Sequence, residues 1–235
     1  MEFGAGAGEK VRVLLNALTR PRAYIPVDIA ASWMADVVES LAVDYPDLPL
    51  IPLVCDFAGE LSWPLRSRAR RLGFFPGSTI GNFEPAEARQ FLARTARLLN
   101  GGSLLIGVDL VKDPALLHAA YNDKAGVTAA FNLNLLARAN READADFDLS
   151  RFTHYAFYNP AARRIEMNLV STARQEVSIC GRTVRFSEGE PVLTEYSCKY
   201  TVGDFQKLAS SAGFVPRTVW CDAEQLFSIH WLDAS

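Results

Sequence analysis

Glycines at alternate positions near the start of the chain are the residues that most clearly predict a ligand-binding site. Gly4, Gly6 and Gly8 precede Glu9, and an amphipathic run follows from Lys10. This spacing predicts a tight turn that enters a helix, with bare backbone and helix N-terminal amides facing a ligand. Such a turn is typical of a nucleotide or nucleoside site, although a plain loop is the alternative.

The residue at position 9 distinguishes between two kinds of ligand. A dinucleotide fingerprint would place a third glycine there, where a pyrophosphate rests on the helix end. Glu9 would crowd and repel that pyrophosphate, so a nicotinamide oxidoreductase is disfavoured. The form E-x-G-x-G-x-G, which begins here at Glu2, is instead common in methyltransferases that bind S-adenosylmethionine, a cation without phosphate.

Two acids stand where later strands are expected to end. Asp28 closes one apolar run, and Asp56 with Phe57 closes the next. Because parallel strands end at one edge of a sheet, we expect these acids beside the glycine turn, together with the 77–82 loop and Asp109. Asp28 would accept the ribose hydroxyls, and Asp56 and Phe57 would bind the adenine, unless the acids only cap helices.

The elements that would position these residues alternate between strand and helix through residue 110, which predicts a parallel sheet covered on both faces. A helix at 125–142 carries Val127, Phe131, Leu135 and Leu136 as its apolar stripe, and Trp33 lies on the apolar side of an earlier helix. From residue 152 the period is two, which predicts one mainly antiparallel group through residue 200. A helix and two strands then complete the chain.

Composition excludes several classes of function. The 235 residues carry a formal charge of −3 without a basic stripe, so no nucleic-acid partner is expected. No apolar run reaches the roughly 18 residues of a membrane span, and a cytoplasmic location is expected. The four cysteines and three histidines show no metal-ligand spacing, so no metal site is predicted.

The sequence resembles one family closely, the histidine N-alpha-methyltransferases of ergothioneine biosynthesis. The most specific shared stretches are Gly-Ser-Thr-Ile-Gly-Asn at 77–82 and Thr-Glu-Tyr-Ser at 194–197. The resemblance covers essentially the whole chain and also includes residues 2–6, Lys10, residues 24–28, 107–113, 120–122 and 128–132.

This resemblance implies a fold and three segments. The fold is α/β, a Rossmann-like class I methyltransferase sheet with an inserted α+β substrate-binding subdomain. Residues 1–112 would form the S-adenosylmethionine-binding core, residues 113–200 the substrate-binding subdomain, and residues 201–235 the return to the core.

The resemblance also implies the roles of particular residues in methylating the α-amino group of L-histidine to trimethylhistidine (hercynine). S-adenosylmethionine would contact Gly4, Gly6, Lys10, Asp28, Asp56, Phe57 and Gly77. Asn82 and Tyr121 would hold the substrate carboxylate and be the most sensitive catalytic positions. Glu195 and Ser197 would read the imidazole and fix its tautomer, with Met167 nearby.

Members of the family carry a mostly helical segment before the glycine turn that adds aromatic contacts to the substrate pocket. Only Met1, Glu2 and Phe3 precede the turn here, so we expect that segment and most of the first, central strand to be absent, through truncation or because this chain dispenses with them. A truncation of this kind is expected to lower both stability and activity. Two other functions stay open: methylation of another amino acid or small amine, and a non-catalytic binding or assembly module.

Overall fold

The computed structural model describes residues 1–66 and 69–235. The helices among them are α1 Glu9–Ala17, α2 Ala31–Asp44, α3 Pro85–Leu99, α4 Pro114–Tyr121, α5 Val127–Glu142 and α6 Val202–Ser211. The strands are β1 Glu2–Phe3, β2 Pro26–Asp28, β3 Leu53–Val54, β4 Leu72–Phe75, β5 Ser103–Asp109, β6 Phe152–Asn159, β7 Arg164–Ser171, β8 Gln175–Ile179, β9 Arg182–Phe186, β10 Pro191–Cys198, β11 Phe214–Cys221 and β12 Phe227–Ala234. Short 3-10 helices span Thr79–Asn82 and Leu149–Arg151.

The chain forms two compact units. The first unit comprises Met1–Leu110 and Tyr200–Ser235, and the second comprises Val111–Lys199. The seven-stranded sheet of the first unit has the order β3-β2-β1-β4-β5-β12-β11. Strands β1 to β5 pair in parallel, whereas β12 is antiparallel to both of its neighbours. The predicted parallel α/β sheet is confirmed, with a reversed strand near one edge.

The first strand is central and short. Glu2 pairs with Pro26 on one side and Phe74 on the other, so the two residues of β1 lie between β2 and β4. Phe3 is buried and meets Phe75 and Phe91 edge to face, with ring centroids 6.1 and 5.5 Å away. The expected short strand is therefore observed, and it is anchored by aromatic packing.

Helices α1 and α2 bury one stripe each against this sheet. Val11 and Leu15 of α1 pack with Val37 and Leu41 of α2. The prediction that Trp33 shares this apolar side was wrong, because its side chain is 52% exposed and Met34 is buried instead. An indole can take a half-exposed position when its N–H has a partner.

The second unit contains two separate antiparallel sheets. Strands β10, β7 and β6 form one in that order, and β8 and β9 form the other. The single group predicted from the alternating pattern is therefore divided. Leu117 of α4 packs on one face of the larger sheet with Ala156, Ile165 and Met167. Leu136 of α5 packs beside Phe152 and Leu169, with the smaller sheet contributing Val177 and Phe186.

The predicted apolar stripe of α5 is wrong at three of its four positions. Val127, Phe131 and Leu135 are 68%, 63% and 41% exposed, and only Leu136 is buried. One helical turn before Leu136, the other buried residue of this face is Asn132, whose side-chain amide donates to the carbonyl of Asn168 at 3.2 Å. A buried polar residue, hydrogen-bonded through its amide nitrogen, occupies the stripe, so the periodicity of apolar residues alone pointed to the wrong face.

Within the part of the chain that the structure describes, no helix combines the length and the apolar character that a membrane crossing requires.

Candidate functional site

The glycine turn follows β1 directly and depends on left-handed backbone. Gly4, Gly6 and Gly8 have φ angles of 69°, 51° and 72°, a region that other L-residues rarely adopt. Gly8 is the N-cap of α1, so the first helical amides follow the turn as predicted. Sequence analysis missed one support of the turn: the indole Nε1 of Trp33 donates to the carbonyl of Gly6 at 2.9 Å.

Two of the predicted glycines lie against predicted side chains. A Cβ built on Gly4 would stand 3.5 Å from Cε1 of Phe57, and one built on Gly77 would stand 3.5 Å from Nζ of Lys10. Phe57 is itself held against Phe75, with ring centroids 5.6 Å apart. The structure therefore brings Gly4 to Phe57 and Gly77 to Lys10, and larger residues at either glycine would fill that space.

Both predicted acids are fixed by their own turns. Oδ1 of Asp28 accepts from the amide of Ala30 at 3.1 Å, and Oδ1 of Asp56 accepts from the amide of Ala58 at 2.8 Å. Within residues 1–66 and 69–235, Oδ2 of neither carboxylate makes a hydrogen bond. Each acid thus combines the capping role with an oxygen that can accept from a ribose hydroxyl or an adenine amino group.

Glu2, the acid of the E-x-G-x-G-x-G form, lies beneath the turn. It is 2% exposed and accepts a hydrogen bond from the hydroxyl of Tyr24. Burial raises the pKa of Glu2 to about 7. A carboxyl group in this position supports the strand that carries the turn.

The loop at 77–82 ends in the 3-10 helix that carries Asn82. Ser78 has a φ of 57°, and its Oγ accepts from the amide of Asp109 at 2.8 Å. A Cβ built on Gly107 would stand 2.1 Å from the carbonyl oxygen of Pro76, so β5 approaches this loop more closely than a side chain would allow. Asn82 is exposed at the end of the loop.

A closed triangle of polar atoms lies on the covered face of the larger sheet in the second unit. The hydroxyl of Tyr121 donates to Oγ of Ser197 at 2.8 Å. Nζ of Lys199 donates to both oxygens, also at 2.8 Å, and stands 4.8 Å from the centre of the Tyr121 ring. Lys199 is only 2% exposed, so polar groups of the protein replace water around its ammonium group, and these two oxygens are among them.

The end of α4 is fixed to β6 by two side chains. Nε2 of His154 stands 2.8 Å from the carbonyl of Tyr121, and Nδ1 stands 3.0 Å from the amide nitrogen of Asn132. A neutral His154 that carries its hydrogen on Nε2 satisfies both contacts. Asn122 exchanges hydrogen bonds of 2.9 Å with both backbone groups of Ala156. Tyr121 is thereby held at its backbone as well as at its hydroxyl.

The remaining predicted substrate residues share the face that carries the triangle. Glu195 of β10 pairs with Met167 of β7, and residues 195 and 197 alternate onto the same face. Met167 is buried, and Glu195 is half-buried. The structure therefore gathers Tyr121, Met167, Glu195 and Ser197 in the second unit, whereas Asn82 belongs to the first unit.

Lys199 was missed by sequence reasoning. The only available signal was its spacing of two from Ser197 and four from Glu195, which predicts a third polar side chain on the same strand face. A lysine at a strand end is usually exposed, so this spacing alone did not single it out.

The strand order with its reversed β12, the glycine turn after β1 and the acids after β2 and β3 define a Rossmann-like methyltransferase that uses S-adenosylmethionine. Among solved structures, an S-adenosylmethionine-dependent methyltransferase from Clostridium acetobutylicum matches 100% of this chain and 82% of its own, with a TM-score of 0.55. At 9% identity, that likeness concerns the fold alone.

The chain belongs to the family of histidine-specific, S-adenosylmethionine-dependent methyltransferases, whose model matches residues 1–234. It is 41% identical over 228 residues to the histidine N-alpha-methyltransferase of Mycolicibacterium smegmatis, a match that covers 94% of this chain and 71% of that protein. It is 27% identical over 256 residues to ergothioneine biosynthesis protein 1 of Neurospora crassa, covering 100% of this chain and 27% of that protein.

Proposed function

We propose that this chain methylates the α-amino group of L-histidine with S-adenosylmethionine, as far as the trimethyl product hercynine, in ergothioneine biosynthesis. The observation that carries the proposal is the 41% identity to a histidine N-alpha-methyltransferase over 94% of the chain. The match to ergothioneine biosynthesis protein 1 supports the pathway. The cytoplasmic location stays a prediction.

The residues at the carboxyl edge of the first sheet fit the cofactor. S-adenosylmethionine supplies an electrophilic methyl group when it is bound. Gly4, Gly6 and Gly77 would leave room for it, and Asp28 and Asp56 would accept from its hydroxyl and amino groups. Phe57 would contact the adenine, and Lys10, beside Gly77, would complete the site.

The residues proposed for the substrate would position the amine without a general base. Asn82 and Tyr121 would donate to the carboxylate, and Glu195 and Ser197 would contact the ring beside Met167. The hydroxyl hydrogen of Tyr121 points at Ser197 in the structure, so a bound carboxylate would have to redirect it. Alignment of this kind accounts for much of the barrier reduction when two reactants must meet.

Mass spectrometry tests the proposal directly. Histidine incubated with the protein and S-adenosylmethionine is expected to give mono-, di- and trimethyl products, with other amino acids and small amines as comparison acceptors. Failure to methylate histidine while another acceptor is consumed would overturn the choice of substrate. Calorimetry with S-adenosylhomocysteine distinguishes a non-catalytic module from a methyltransferase with either kind of acceptor. A protein that does not bind this ligand, with or without histidine present, would be the module.

Asn82→Ala tests the carboxylate contact. We expect turnover at low histidine concentration to fall about tenfold, because a hydrogen bond to a charged group is lost. Asn134→Ala is the matched control, since Asn134 is exposed on α5 and outside the proposed site. Unchanged turnover in Asn82→Ala would remove Asn82 from the site.

A further inference from the structure

A cavity of about 450 Å³ in the first unit is lined by α3 and by the loop at residues 57–63. This volume is within the usual range for small-molecule sites. Phe57 and Trp63 of the loop and Thr95 of the helix contribute to the lining. Of the residues proposed for S-adenosylmethionine, the described lining includes Phe57 alone, so the cavity is not the cofactor site itself.

The cavity reaches the edge of the sheet opposite to the glycine turn. Arg71 lines it and directly precedes β4, whereas Gly77 of the proposed cofactor site follows β4. Helix α3 joins the parallel strands β4 and β5, so its last turn returns to the same edge as Arg71. Nη1 of Arg71 donates to the carbonyl of Leu98 in that turn at 2.6 Å. This end of the cavity is therefore separated from the cofactor edge by the length of β4.

Three guanidinium groups line the cavity, from Arg71, Arg94 and Arg97. Arg94 and Arg97 stand three positions apart on α3, which places them on one side of the helix. Glu60 is the one carboxylate in the described lining, so three positive charges and one negative charge leave a formal charge of +2. Like charges held in a confined space repel each other, and a dianion would balance them.

Arg94 is the residue of this cavity whose contacts are incomplete. Its Nε is buried, and within the described residues it has no hydrogen-bond acceptor and the side chain forms no ion pair. The guanidinium of Arg71, by contrast, binds the end of α3 and lies over the ring of Trp63, with its central carbon 5.0 Å from the ring centroid. An N–H group removed from water without an acceptor is unfavourable, and a ligand oxygen would supply the acceptor.

We infer that this cavity binds a small phosphorylated metabolite, with its phosphate on the arginines and its organic part against Phe57 and Trp63. Guanidinium groups pair with phosphate oxygens through two parallel hydrogen bonds, and a phosphomonoester carries a charge of about −2 near pH 8. The cavity is larger than a phosphate ion, which leaves room for the organic part. The inference goes beyond the proposed function, because neither histidine nor S-adenosylmethionine carries a phosphate.

Calorimetry with phenyl phosphate at pH 8 tests the inference, with and without saturating S-adenosylhomocysteine. We expect binding in both conditions, and weaker binding of inorganic phosphate and of phenol, which each supply only part of the contacts. Displacement by S-adenosylhomocysteine would place the ligand in the cofactor site and overturn the inference. Equal affinity for inorganic phosphate or for phenol would overturn the assigned class of ligand. Absence of phenyl phosphate binding would overturn the site itself, whether or not histidine is methylated.

Arg94→Met removes the guanidinium group while keeping an unbranched stem. We expect the affinity for phenyl phosphate to fall at least about tenfold, because charge-assisted hydrogen bonds are lost. Arg89→Met makes the same change at an exposed position of α3 outside the cavity and should bind as the wild type does. Equal affinity in folded Arg94→Met and in the wild type would overturn the inference.

Arg97→Met keeps the inference testable if Arg94→Met fails to fold, as thermal unfolding would reveal. Arg97 is exposed and, within the described residues, forms no ion pair, so its removal should leave stability nearly unchanged. We expect phenyl phosphate to bind about threefold more weakly, because one exposed charge is lost. Affinity equal to that of Arg89→Met would show that the arginines do not hold the phosphate.

Discussion

The two units build their candidate sites from different materials. In the first unit, Gly4, Gly6 and Gly8 shape a left-handed backbone, and neighbouring side chains lie against bare glycine. In the second unit, the backbone is regular, and a hydroxyl from α4 meets a hydroxyl and an ammonium group carried by or just after β10. A site made of backbone is damaged by added atoms, whereas a site made of side chains is damaged by removed ones.

The largest expected effect comes from adding atoms to the turn. Gly4→Val forces a branched side chain into a φ of 69° with its Cβ 3.5 Å from Phe57. We expect calorimetric affinity for S-adenosylhomocysteine to fall at least about a hundredfold, because the turn must move.

Gly181→Val is the matched control for that experiment. Gly181 has a φ of 70°, and nothing lies within 4 Å of a Cβ built on it. The backbone strain is similar but lies outside the proposed site. Equal loss of affinity in both variants would mean that strain, and not the occupied space, explains the result.

The buried His230 makes the stability of the first unit dependent on pH. His230 is fully buried in β12, and its Nε2 stands 3.0 Å from Oγ of Ser228, whose hydroxyl donates to the carbonyl of Val108. Within the described residues, Nδ1 of His230 has no partner. Burial lowers the pKa of His230 to about 4. The unfolded chain takes up this proton first as pH falls, so the contribution to stability is present above pH 6.5 and is lost towards pH 4.

From pH 8 to pH 5, we expect His230 to cost about 2 kcal/mol of unfolding free energy. Denaturant unfolding of the wild type and of His230→Leu measures this as the difference between the two pH profiles. Glu2 acts in the opposite direction, because its pKa of about 7 gives stability that is lost as pH rises, but it is common to both proteins. Parallel profiles would contradict the assignment.

Removing a charge from the second unit should affect one ligand only. Glu195→Gln keeps the shape of the side chain and loses a charged acceptor, so we expect the KM for histidine to rise about tenfold. Binding of S-adenosylhomocysteine should not change. Glu188→Gln, at an exposed turn position, is the control. A similar loss of both ligands would end the distinction between the two sites.

The smallest expected effect concerns the support of the turn. Trp33→Phe keeps an aromatic ring and removes the N–H that donates to Gly6, so affinity for S-adenosylhomocysteine should fall about threefold. Trp220→Phe removes an indole of similar exposure, 51% against 52%, on β11. If both variants bind as the wild type does, the indole contact does not support the turn.

The same contrast explains what could be predicted from the sequence. The left-handed turn at Gly4, Gly6 and Gly8 can be predicted because glycine adopts positive φ angles most readily. The spacing of apolar residues along the chain predicts the strands and helices around it. The triangle has no such local signal, because Tyr121 and Lys199 come together only when α4 packs on the sheet. The family resemblance assigns Tyr121 and Ser197 to the substrate site but does not identify Lys199.

Periodicity failed where a polar residue was buried or an aromatic residue was exposed. Asn132 is buried because its amide meets His154 and Asn168, so the apolar pattern of α5 pointed to Phe131 instead. Trp33 is half-exposed because its N–H has a backbone partner. Both errors arise from hydrogen bonds between distant residues, which a pattern of residue types does not contain.

The pairing of Leu110 with Tyr200 determines how the chain leaves and rejoins the first unit. These residues form a parallel bridge, and the amide of Leu110 also donates to the carbonyl of Leu226 at 3.1 Å. The segment from Val111 to Lys199 is thus an insertion in the first unit, and the residues that flank it are paired with each other. The loop-closure entropy of the first unit would change little if this insertion were lengthened, shortened or replaced by a few linker residues. Variation in its length is therefore thermodynamically inexpensive for the sheet that carries the glycine turn.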